Sequence, residues 1–361
     1  MPSARRLLVL ALLAGPLPAA AAGFVSLDLP GSQAVAISAD GCIVAGNLLG
    51  DAGGGFRWSA AGGAERLAGA VSVQGLSASG AYVAGAVLDG LQRQFASYWD
   101  AAGMAHPLDS MPGIESLGVV SQAQAINDEP RIVGNARRPG GGSIAFEWTP
   151  RHGMRSLPGL AAGASGRAVG VSRDGNRIVG WEQRAGQTTG IVWRNGQALP
   201  LPIASGAPAE LSGASRDAAL LFGLRPIDGA AAAAAYRWRD AATLELLATT
   251  PEPAAAARFH AGSDDGRVLA GGSDRGGRRA PWVWIAGEGF VALPDLLARY
   301  RVAVPPGWQL LALTAVSGNG ERLAGWGKRD GQLDSFVVDL TAGGPAGACT
   351  LPAVARTVQA P

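Results

Sequence analysis

The chain has 361 residues, 48% of them hydrophobic and 16% charged, with 30 Lys and Arg against 28 Asp and Glu. So much apolar content at a net charge of +2 excludes intrinsic disorder, and the even balance excludes the basic footprint of a nucleic-acid binder. With 54 Gly and 23 Pro, the composition suits many short strands joined by turns rather than long helices.

The first predicted element is a targeting segment. Arg5 and Arg6 form a basic head before an apolar run, 7–17, that is too short to span a bilayer. Ala19, Ala20, Ala21 and Ala22 supply small residues for cleavage. Residues 1–22 therefore read as a secretory signal peptide, 23–340 as the folded body and 341–361 as a tail rich in Gly, Pro and Ala. Export to the periplasm or the extracellular space follows, with no transmembrane segment in the mature chain.

The body is a repeat. The segment from Ala36 to Gly46, AISADGCIVAG, recurs from Gly75 to Gly85, Ala125 to Gly134, Gly170 to Gly180, Gly213 to Gly223, Ala261 to Gly271 and Ala315 to Gly325. Its first position is always Ala or Gly and its last always Gly. A short apolar run ending in Trp follows six copies, at Trp58, Trp99, Trp148, Trp193, Trp238 and Trp284, with Val338 in the seventh. A turn and a strand ending in Leu come next, at Leu67, Leu108, Leu157, Leu199, Leu246 and Leu293. Each unit predicts four strands, a to d, with Ser-x-Asp-Gly as the a–b hairpin turn. Four strands per unit and seven units predict an all-β, seven-bladed β-propeller. The small first residue fits the crowded axis, the Gly permits a close approach and the Trp fills the wider space between blades.

The seventh copy has no strand d of its own. Gly23-Phe24-Val25-Ser26-Leu27 matches Gly289-Phe290-Val291-Ala292-Leu293, the strand d of copy six. The N-terminal strand is thus expected to complete the last blade and remove the open edge. Cys42 and Cys349 would then sit at the same seam, and an oxidising compartment favours their disulfide over two unpaired thiols. The insert from Pro294 to Leu310 predicts a short helix at 296–300 that either caps the channel mouth or packs Trp308 against blades six and seven.

The Ile-Ser-Ala-Asp-Gly, Val-Ala-Gly and Phe-Arg-Trp pattern of the first unit, with Gly325-Trp326-Gly327 of the last, resembles the bacterial extracellular repeat proteins of the HAF type. The likeness covers 24–340. It implies an extracellular repeat protein; that family is named by its repeat rather than by an activity.

For function, the b–c and d–a loops vary most and share one face, which makes that face the candidate binding surface. It carries Arg93, Arg137, Arg138, Arg184, Arg225, Arg278, Arg279 and Arg329, a rim suited to carboxylated glycans or phosphate or else a solvated Arg-biased surface. His106, His152 and His260 are scattered, and no zinc spacing, Walker loop, nucleophile elbow or calcium loop is present, so no cofactor or metal is expected. Asp40, Asp174, Asp217 and Asp264 read as turn residues that bond their own backbone. The expected role is a binding or interaction module, with a glycan or an envelope protein as partner. The alternatives are a carbohydrate-active propeller enzyme, hydrolase or lyase, and a structural envelope component.

Overall fold

The computed structural model describes residues 23–50, 53–109, 120–138, 140–202, 211–227, 230–240, 243–253 and 257–341. These form seven antiparallel four-stranded sheets arranged as the blades of a β-propeller. In six of them strand order follows chain order. The inner strands are Ser32–Ile37, Ala70–Leu76, Ser121–Ile126, Ser165–Val171, Leu211–Ala214, Ala257–Gly262 and Trp308–Val316. Small residues are required where these strands meet. A Cβ on Gly75 would lie 2.8 Å from the Gln124 carbonyl of the next blade, and one on Gly170 would lie 2.7 Å from the Ala214 Cβ.

The seventh sheet has the order that closes a ring. Its strands Trp308–Val316, Arg322–Arg329 and Gln332–Asp339 are followed outward by Gly23–Ser26. The closing pairs are Gly23 with Asp339, Phe24 with Val338, Val25 with Val337 and Ser26 with Phe336. Leu27 donates its N–H to the Ser335 carbonyl at 3.0 Å, as Leu108 does to Ala96 and Leu157 to Ala145. It therefore takes the place of the blade-closing leucine and is buried. The Phe24 ring stacks on Phe336 and meets Trp308 edge-on, with both centroids 5.2 Å away.

Two leucine and two aromatic assignments shift in register. The leucine that repeats this bond in blade four is Leu201, bonded to Gly190, and not Leu199, which is exposed. In blade five Ala248 holds the buried place opposite Ala235, and Leu246 is exposed. Of the strand-c tryptophans, Trp58, Trp99 and Trp193 are buried while Trp148, Trp238 and Trp284 are half-buried. In blades three and six the deep place goes to Phe146 and Trp282, two residues earlier.

The insert between blades six and seven forms one helix, Leu293–Arg299. Pro294 suits its first turn, where no intrahelical N–H is needed. Leu293, Leu296 and Leu297 bury into one cluster with Val302, Phe336 and the partly buried Trp308. The helix thus packs over the outer seam of blades six and seven rather than over the channel. Residues 1–22 and the tail bearing Cys349 lie outside the described residues. Cys42 sits beside the closing blade, where Arg322 reaches its Sγ at 3.5 Å.

Candidate functional site

Every inner strand carries an extra residue at one common place, and those of blades two and seven carry a second nearer their start. At the common place the register to strand b shifts between Ala34 and Ala36, Val73 and Gly75, Ala123 and Ala125, Ala168 and Gly170, Leu211 and Gly213, Phe259 and Ala261, and Leu313 and Ala315. Such a bulge leaves one residue outside the ladder and re-aims its side chain. The residues so placed are Val35, Gln74, Gln124, Val169, Ser212, His260 and Thr314, and all seven line a single axial cavity of about 650 Å³. Sequence comparison alone missed this ring, although it left a signal: the place beside the constant Ala or Gly is the one that varies. The sequence suggests that His260 stands where the other copies carry an apolar residue, but only two of the other six, Val35 and Val169, are apolar.

The a–b turns close one end of the cavity. Ala39 donates to the Ala78 carbonyl, Gly318 to Ala39 and Asp264 to Gly318, at 2.7–2.9 Å, so adjacent turns are joined around the axis. Ser79 continues the chain to Asp128 through its N–H at 3.0 Å. Arg216 crosses this floor, donating to the Val316 carbonyl at 2.9 Å and to the Asp264 carboxylate at 2.5 Å. Here the turn assignment of Asp264 is corrected. Asp40, Asp174 and Asp217 do accept from their own Ser and backbone, but in blade six that role belongs to Asp265. Ser263-Asp264-Asp265-Gly266 puts Asp264 in the variable x place, which faces inward. The cavity is therefore a bowl, open toward the variable loops.

Its walls are polar on one side and mixed on the other. Gln33, Gln74 and Gln124 come from blades one to three, and Arg167 and Trp181 from blade four. Thr314 and Trp326 come from blade seven. Arg167 and Trp181 are cross-strand partners and so share a face of the sheet. Burial pushes the Arg167 pKa down, but a guanidinium stays charged. Among the described residues its side-chain partner is the Gln122 amide oxygen, at 3.4 Å. Residue 210, the counterpart of Arg167 in blade five, lies outside the described residues. His260 faces the open bowl with protein all round it at longer range. That surrounding protein, then the charges of Arg258 and Arg279, lower its pKa, by less than full burial would because the side chain is exposed to the bowl. Among the described residues, no three His, Cys, Asp or Glu side chains come together to hold a metal.

The predicted rim arginines are spread over the b–c hairpins, each in its own surroundings. Arg93 pairs with Asp89 at 2.8 Å and lies over Phe95. Arg138 donates to the Gly163 and Ala164 carbonyls at 2.8 and 3.0 Å. Arg279 meets Asp274 at 3.5 Å and stacks over Trp326, and Arg329 pairs with Asp28. Arg137, Arg184 and Arg278 end their strands in exposed positions, and Arg225 is half-buried within blade five. Arg278 and Arg279 are brought together on blade six, and Arg279 alone reaches a bowl-lining side chain. The rest stay apart.

The fold and bowl define the class: a closed seven-bladed propeller with a one-ended axial cavity. No family model matches the sequence. No curated protein matches it either. Among solved structures it resembles oligogalacturonate lyase from Vibrio parahaemolyticus at a TM-score of 0.60 and 9% identity, over 89% of this chain and 97% of that one. It also resembles the Cps50 (Swd1) β-propeller domain of Myceliophteria thermophila at 0.55 and 15%, over 86% and 98%. The likeness to TolB from Acinetobacter baumannii, at 0.46 and 11% identity, covers 87% of this chain but only 64% of TolB. At such identities the first two likenesses speak for the fold alone.

Proposed function

We propose that this chain is an exported binding module that takes the end of a glycan into its axial bowl. The observation that carries the reading is the bulge ring: seven re-aimed side chains converge on one cavity that the turns close below. A volume of about 650 Å³ is of ligand size. Amides and hydroxyls of Gln33, Gln74, Gln124, Ser212 and Thr314 match sugar hydroxyls, and the indoles of Trp181 and Trp326 match the apolar faces of sugar rings. A closed floor favours a chain end over a chain threaded through. The lining side chains include no carboxylate among the described residues, which favours recognition over paired acid–base chemistry. The HAF-type resemblance and the leader-like first 22 residues support export, and the position of Cys42 at the seam supports its disulfide with Cys349.

The test is a glycan array probed with protein secreted by cells, its intact mass checked for loss of residues 1–22 and of two thiol hydrogens. Hits are then titrated by tryptophan fluorescence. Trp326→Ala should weaken binding roughly tenfold or more, the loss of one stacking or hot-spot aromatic. The rim variants Arg137→Ala and Arg278→Ala should change it little. The opposite pattern would move the ligand to the rim, and turnover of any hit would make the chain an enzyme.

A further inference from the structure

Three residues lining the bowl each hold a buried side-chain nitrogen with no acceptor among the described residues: Gln124 Nε2, Arg167 Nε and Arg216 Nε. All three atoms are donors. A guanidinium can only donate, so any partner that Arg167 or Arg216 takes in the bowl must accept. The two arginines differ in charge balance. Arg216 is ion-paired to Asp264 at 2.5 Å, whereas no described carboxylate pairs with Arg167. Among the described residues, one cation without a carboxylate partner therefore stands in the wall, beside the Trp181 indole.

We propose that the bowl selects a glycan end bearing a carboxylate, a uronic acid residue, with the carboxylate on Arg167 and the sugar ring against Trp181. The inference rests on the bowl being the binding site. A carboxylate accepts from a guanidinium edge through charge-assisted bonds, and the adjoining aromatic face stacks the ring that carries it. One unpaired guanidinium calls for one negative charge. Gln124 adds an amide that can donate to the same acid or to a neighbouring hydroxyl.

The experiment compares galacturonate trimers with their methyl esters, which keep the rings and remove the charge, by calorimetry on the mature protein at low and high salt. The acid should bind roughly ten- to a hundredfold more tightly than the ester, the scale of a hydrogen bond to a charged group. The preference should shrink with salt. Arg167→Gln should abolish it, and Arg167→Lys should keep part of it, with unfolding midpoints of both variants confirming that they fold. Equal binding of acid and ester would overturn the inference and leave the bowl as a neutral-sugar site. An acid preference that survives in folded R167Q would remove Arg167 from the role. A carboxylate-ended tripeptide binding as well as the trimer would overturn the glycan assignment. Failure of both trimers, together with an empty array, would bring down the bowl reading itself.

Discussion

A Cβ on Gly85 would sit 2.0 Å from the Ser72 carbonyl oxygen and 3.1 Å from the Trp99 ring. On Gly134 it would sit 2.0 Å from the Gln122 carbonyl, and on Gly180 2.1 Å from that of Arg167. None of these glycines needs a left-handed backbone; the constraint is contact with the carbonyl just before the bulge. Gly85→Ala should therefore lower stability by about 3 kcal/mol, the upper range for overpacking a core. Gly90, with nothing within 4 Å of its would-be Cβ, is the control, and its alanine variant should stay within about 0.5 kcal/mol of the parent. Urea midpoints at unchanged slope measure both, and equal midpoints would remove the carbonyl contact as the reason for the repeat's constant Gly. That constancy was plain in the sequence, but its cause was not, because a bulge changes no residue type. Asp264 shows the same limit: two adjacent aspartates fit one motif place, and only the direction of each side chain tells which one belongs there.

Whole strands were easier to read than single side chains. The match of Gly23-Phe24-Val25-Ser26-Leu27 to the strand d of blade six carried register as well as identity, so ring closure followed from it. Alternation then says which residues of that strand matter. Phe24 is packed between Phe336 and Trp308, whereas Val25 is 40% exposed. Phe24→Ala should cost about 2 kcal/mol, less than a fully buried phenylalanine, and Val25→Ala much less. A Phe24→Ala chain should also aggregate more readily as the last blade's edge frays. Chemical denaturation with light scattering checks both, and a reversed ranking of the two variants would mean the strand seats on its other face. The helix was harder to place. Its three leucines announced burial but not against which neighbour, and the cluster with Trp308 and Phe336 supplies the answer.

At the scale of the molecule, the ring's joints are hydrogen bonds and ion pairs as well as apolar clusters, and this sets how the protein meets acid. Burial alone would raise the Asp128 and Asp339 pKa values. Hydrogen bonds from Ser79 in one case, and from Thr341 with the Arg322 charge in the other, outweigh it and hold both below the usual carboxylate value. The Ser172 hydroxyl, then the Asn176 N–H, do the same for Asp174. A carboxylate with a folded pKa below its unfolded one stabilises fully above the unfolded value, 3.8, and loses that contribution as pH falls through the folded value. His260 follows the same sign from a higher start. The fold lowers its pKa from 6.5 and so favours the neutral ring, and this contribution erodes as pH falls below 6.5. Because the ring faces the open bowl, solvent screening keeps the effect small. Urea midpoints should thus fall gently below pH 6.5 and steeply below pH 3.8, where the joint between blades two and three, the turn of blade four and the closing blade protonate. In His260→Gln the gentle part should lessen while the steep part stays. A difference between parent and variant that is flat from pH 6.5 to 4 would show that the bowl leaves this imidazole as basic as it is in water.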